Sequence, residues 1–145
     1  MTAHLRQCAI HVTVAILVLA APGYAQNAAK PQSVDIPKVA TLEGVPTIRV
    51  DSTADATTRR VLGSTEAAQN PLKVRVRDGR FYWVSRDNRL LQLNSSGPFT
   101  YLSSEPGSYI RLTRLNDTIS YVEHVDMKER GSVTWWGELR IVIGP

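Results

Sequence analysis

The chain has 145 residues, with 43% hydrophobic and 21% charged side chains and a formal net charge of +4. That composition excludes disorder from end to end and a polytopic membrane protein. Eight prolines and nine glycines without a period exclude collagen and disfavour a long helical bundle.

In chain order, Met1 to Arg6 is weakly basic, Ala9 to Ala21 is apolar, and Pro22-Gly23-Tyr24-Ala25 has small residues spaced as at a cleavage site. This order predicts a signal peptide over residues 1–25, cut before Gln26. The apolar run holds His11 and Thr13 and is shorter than the roughly 20 residues that span a bilayer. Cys8, the single cysteine, falls inside this segment, so the mature chain has no disulfide or thiol chemistry. A small exported domain without bridges points to a bacterial periplasmic or secreted protein. Asn94-Ser95-Ser96 and Asn116-Asp117-Thr118 match the glycosylation sequon, a short pattern that also arises by chance.

Residues 26–44 are rich in Ala, Pro and Gln and read as a flexible tail, leaving residues 45–145 as a single β domain. Val45–Val50 is expected as a first strand, placed on an edge by Pro46. Ser52–Gly63 is the one segment with helix signals: Ser52 or Thr53 as N-cap, Ala54 and Ala56 inside, Gly63 as the stop. Leu72–Arg77 alternates apolar and basic residues, the period of a strand with one buried face. Asp78-Gly79 then predicts a two-residue hairpin pairing Val76 with Phe81, Val74 with Trp83, Arg77 with Arg80 and Arg75 with Tyr82. Further strands are expected at Leu90–Leu93, Phe99–Ser103, Tyr109–Leu115, Thr118–Val125, Val133–Trp136 and Leu139–Ile143. Turns at Asp87-Asn88, Gly97-Pro98, Pro106-Gly107 and Asn116-Asp117 separate the earlier ones. The fold class is therefore all-β: a small antiparallel meander forming a barrel or sandwich of about seven to eight short strands. Its core should hold Val74, Val76, Phe81, Trp83, Leu112, Tyr121 and Ile141 with one of Trp135 and Trp136.

Catalytic signatures are missing from the sequence. His124 is the mature chain's one histidine, and zinc sites want three or four His, Cys or carboxylate ligands. In a strand its neighbour Glu123 faces the other way, which leaves only Asp126 on its side. There is no Gly-x-Ser-x-Gly elbow and no phosphate-cradling glycine loop. No catalytic residue, metal or cofactor is assigned. Ser95 to Tyr101 resembles the Ser-Gly-x-x-Tyr loop of periplasmic lysozyme inhibitors, small β-barrels with signal peptides; here the tyrosine stands one residue further along and that family's disulfide is missing. Gly97-Pro98 as a plain turn accounts for the segment.

The candidate ligand-binding residues are Arg75, Arg77, Arg80 and Tyr82 on the outer face of the hairpin, with Trp135 and Trp136. Adjacent strand residues face opposite ways, so one of the two tryptophans should lie inside and the other outside. Arg77 opposite Arg80 is a like-charge pair that ordinarily weakens a sheet, and arginine suits bidentate recognition of phosphate or carboxylate. After cleavage the excess is 16 basic over 13 acidic residues, too small for a general nucleic-acid binder. The expected function is an exported, non-catalytic binding module whose partner is an envelope glycan, lipid head group or protein. The alternatives are a small hydrolase with an unrecognised carboxylate site and a purely structural envelope protein.

Overall fold

The computed structural model describes residues 29–104 and 107–144; the segment read as a signal peptide lies outside them. Nine antiparallel strands form one sheet: β1 (Ala40–Ser52), β2 (Thr57–Val61), β3 (Leu72–Arg77), β4 (Arg80–Trp83), β5 (Arg89–Ser96), β6 (Phe99–Ser103), β7 (Tyr109–Leu115), β8 (Thr118–Asp126) and β9 (Ser132–Val142). From β3 onward each strand pairs with the next, and β9 pairs with β1. The result is a closed eight-stranded barrel with β2 as an extra strand on β1. One short helix, α1 (Ser64–Gln69), and a 3₁₀ turn at Lys128–Arg130 complete the described elements.

The local chemistry of the meander follows the sequence closely. Asp78 and Gly79 have φ of 51° and 74°, the left-handed pair that a two-residue hairpin turn requires. The β3–β4 register is Val74 with Trp83, Arg75 with Tyr82, Val76 with Phe81 and Arg77 with Arg80, as the alternation predicts. Val74, Val76, Phe81, Trp83, Leu112, Tyr121 and Trp135 are buried in one core with Leu42, Leu72, Leu102 and Ile110, and Ile141 packs against it half-buried. Trp135 points in and Trp136 points out.

Two glycines make room for the Tyr121 ring. A Cβ on Gly44 would stand 2.6 Å from Tyr121 Cε1; one on Gly137 would stand 2.8 Å from the same atom and overlap the Val45 carbonyl. Gly137→Ala should therefore destabilise the barrel by about 1–3 kcal/mol, as overpacked cores do. Urea unfolding measures this, and an unchanged midpoint would show that both the ring and the Val45–Pro46 backbone can move aside.

Four expectations need correction. The domain begins before Val45. Ala40–Gly44 is already in β1, and Val34 is buried in the core, its N–H donating to Thr100 Oγ1 at 2.8 Å and its carbonyl accepting from that hydroxyl at 3.0 Å. Gln32 exchanges backbone bonds with Arg114, and Gly79 N–H donates to the Lys38 carbonyl, so this segment crosses the barrel end that carries the hairpin turns. Secondly, Pro46 does not mark an edge: β1 is paired on both sides, and the proline sits where the register with β9 shifts between Pro46 and Ile48. A bulge tolerates its missing N–H. Thirdly, Ser52–Gly63 is not helical. Ser52 ends β1, Thr53 N–H donates to the Ala56 carbonyl at 2.8 Å, and Thr57–Val61 is β2. The β-branched Thr57, Thr58 and Val61 decide for a strand, and the helix starts just after Gly63. Lastly, Val133–Trp136 and Leu139–Ile143 are not separate strands: β9 runs unbroken through Gly137.

The bulge at Thr47 has a directional effect. Leu42, Gly44 and Pro46 face inward, and uninterrupted alternation would send Ile48 inward too. The extra residue reverses the phase, so Ile48 aligns with the outward Trp136 and Arg49 with the inward Trp135.

Candidate functional site

The structure places the sequence-derived candidates in three different environments. Arg75, Arg77, Arg80 and Tyr82 share the outer wall formed by β3 and β4. The three arginines are exposed and make no ion pair among the described residues. Arg75, Arg77 and the half-buried Tyr82 line one shallow concavity, with Asn88 from the following turn as its fourth wall. Asp87 and Asn88 both hold left-handed backbone (φ 56° and 54°), which brings the chain back beside Tyr82. Arg80 lies just beyond, opposite Arg77. On the neighbouring β1, Glu43 serves other residues: it lies 2.6 Å from Arg140 and 3.9 Å from Lys73. Two guanidinium groups, an aromatic ring and an amide around one depression suit a planar oxyanion, which takes paired N–H bonds from arginine.

The tryptophans do not join this surface. Trp136 is on the outer face of β9, separated from β4 by β1 and β3, where it shares a groove with Thr47, Arg111 and Val122. Trp135 is 7% exposed and belongs to the barrel interior. His124 also faces outward: Nδ1 lies 2.9 Å from Thr134 Oγ1, and the ring stacks on Tyr109 at 5.2 Å. Tyr109 continues to Tyr101 and Phe99 as an aromatic ladder on the outer wall of β6 to β8. The Asp126 backbone N–H donates to Ser108 Oγ and its carboxylate accepts from Lys128 N–H, and no group of three metal-binding side chains occurs among the described residues.

A second cluster, which reasoning from sequence missed, lies inside the barrel. Glu123 is fully buried, and Trp83 Nε1 donates to its Oε1 at 3.0 Å. Arg86, from the loop after β4, brings Nη2 within 3.1 Å of the same oxygen, close enough for an ion pair but not aligned as a hydrogen bond. The guanidinium of Arg86 also lies over the Trp135 ring at 4.6 Å, and that of Arg49 at 5.5 Å. Arg49 is in turn bound by Asp51, with Nε 3.0 Å from both carboxylate oxygens. Glu123 Oε2, Tyr121 Oη and Trp135 Nε1 have no hydrogen-bond partner among the described residues.

Burial pushes the Glu123 carboxyl up to about 7; the Arg86 charge and the Trp83 bond work against that shift without cancelling it. Burial, with the Glu123 charge, likewise holds Tyr121 above the ordinary phenol range. The signal for this cluster was present in the alternation of β8. Ile119, Tyr121, Glu123 and Val125 share one face, and a glutamate on an apolar face needs a buried partner.

Comparison with protein-family models, curated proteins and solved structures yields no match for this chain.

Proposed function

We propose that this chain is an exported, non-catalytic binding module of the bacterial cell envelope that holds an anionic group on the outer wall of β3 and β4. The supporting observation is the concavity lined by Arg75, Arg77, Tyr82 and Asn88, whose guanidinium groups have no acidic partner among the described residues. Arg77 opposite Arg80 adds a local arrangement that disfavours folding and favours an incoming anion. The ligand is a phosphorylated lipid head group, an anionic glycan or an acidic protein patch. Export rests on the Met1–Ala25 leader pattern.

The hydrolase alternative would have to use Glu123, the carboxylate with a raised pKa. That group is fully buried beneath Arg86, and substrate would reach it only after the loop moved.

Replacing Arg75, Arg77 and Arg80 together with serine tests the proposal. Vesicles with and without phosphatidylglycerol, and immobilised heparin as an anionic glycan, serve as probes. The parent should bind one of the anionic probes at low salt and release it as salt rises. The variant should keep its circular dichroism spectrum and lose that binding. A variant that binds like the parent, or a parent that binds neither anionic probe, overturns the reading.

A further inference from the structure

Seven of the barrel strands are paired along both edges by β-strands over part or all of their length, and so is β1; among the described residues β2 pairs with β1 alone. All five residues of β2 are exposed, Val61 at 72%. The direction of its free backbone groups follows from the register. Thr53 N–H donates to the Ala56 carbonyl and Leu62 N–H to the Thr47 carbonyl, which marks these as hydrogen-bonded pairs of the β1–β2 ladder. In an antiparallel ladder bonded and non-bonded pairs alternate, so Asp51–Thr58 and Arg49–Arg60 are bonded as well. Thr57, Arg59 and Val61, paired with Ser52, Val50 and Ile48, are the non-bonded positions. Their N–H and C=O groups therefore point away from β1, along the open edge.

The same three residues present their side chains on the outer face, because Ile48 and Val50 align with Trp136 and Thr134 rather than with Trp135. Arg59 makes no ion pair among the described residues, whereas Arg60, on the other face, lies 3.1 Å from Glu66 and 3.9 Å from Asp51. The edge thus offers backbone hydrogen bonds, an uncompensated cation at its centre and an apolar position beside it.

We propose that the β2 edge is a docking site for an extended acidic segment of another protein, which adds to the sheet as a further strand with a carboxylate opposite Arg59 and an apolar side chain opposite Val61. Strand addition draws its affinity from main-chain bonds and its specificity from alternate side chains. Charge selects this occupant over a second copy of the chain. Full antiparallel pairing of two β2 strands sets Arg59 against its own counterpart, and directly opposed like charges destabilise a sheet. An acidic strand turns the same residue into a favourable pair.

The test is amide hydrogen exchange of the purified protein with short blocked peptides. The first carries valine, glutamate and threonine at alternate positions with threonine between them; the second has lysine for the glutamate; the third repeats the first with its edge-facing amides N-methylated. The first peptide should slow exchange at Thr57, Arg59 and Val61 by tenfold or more and leave Thr58 and Arg60 unchanged, an order of effect set by newly made hydrogen bonds. The lysine and N-methylated peptides should give no protection. In Arg59→Glu, an exposed substitution, the preference should reverse to the lysine peptide. No protection by any peptide overturns the proposal, as does equal protection by the glutamate and lysine peptides. Protection that grows with protein concentration alone also overturns it, in favour of self-pairing.

Discussion

Trp83→Ala should remove about 3–5 kcal/mol of stability, the range for deleting a large aromatic side chain from a packed core. The residue is fully buried, and its indole N–H is the hydrogen bond that holds Glu123 Oε1. Alanine thus opens a cavity and also takes a donor from a buried carboxylate, and both effects act in the same direction. Urea unfolding at fixed pH measures the loss. A value below about 1 kcal/mol, usual for surface positions, would mean that this wall of the barrel is not packed as described. Trp136→Ala, on the outer face of β9, supplies the contrast and should fall near that surface value.

The stability of the parent protein should decline as pH rises from about 4.5 to about 7. Glu123 titrates near 7 in the folded chain and near 4.5 when unfolded. In that window the folded state holds a proton that the unfolded state has released, so raising the pH favours unfolding. The full difference is present below the unfolded pKa and is lost as pH passes the folded one. With about 1.4 kcal/mol per pKa unit, the contribution is roughly 3 kcal/mol. Glu123→Gln cannot titrate there. The stability difference between parent and variant should therefore shift against the parent by that amount across the window, read from urea unfolding at a series of pH values. A difference that stays constant with pH would show that Arg86 and Trp83 cancel the effect of burial on Glu123. Arg86 opposes the shift through its charge, so Arg86→Gln should move the Glu123 pKa higher still.

The β3–β4 hairpin was legible down to its register because two local signals agree there: strict alternation from Leu72 to Arg77, and Asp78-Gly79 as a turn that tolerates only one loop length. The same logic separates Trp135 from Trp136. It could not say which faced inward, because that choice depends on the phase that β9 takes against β8 and β1. The first strand was misjudged for a similar reason. Pro46 reads as an edge signal in isolation, and only pairing with β9 reveals a bulge that accommodates it. Ser52–Gly63 carried helix-capping residues and β-branched residues together, and the hairpin with β1 settled the conflict in favour of a strand. Val34 sits in a segment with no periodicity at all, and its burial depends on a hydroxyl 66 positions away. The basic wall was predicted residue by residue, whereas the Glu123 cluster was not. The alternation of β8 sets Glu123 on the apolar face, but its partners come from β4, β9 and the loop after β4, and no local spacing says which residues meet it.

Closing the barrel with its first and last strands has a kinetic consequence. β1 and β9 pair Thr41 with Val142 and Ser52 with Ser132, positions on the order of a hundred residues apart. Such a long loop must be ordered before the seam gains anything from its hydrogen bonds, which places the domain among proteins that fold in milliseconds to seconds. Until β9 is available, the seam side of β1 has no partner. A nascent chain interrupted before Ser132 would keep both β1 and β8 as open edges, a state prone to association with other chains. Arrival of β9 therefore acts as the switch between an unclosed chain and a barrel.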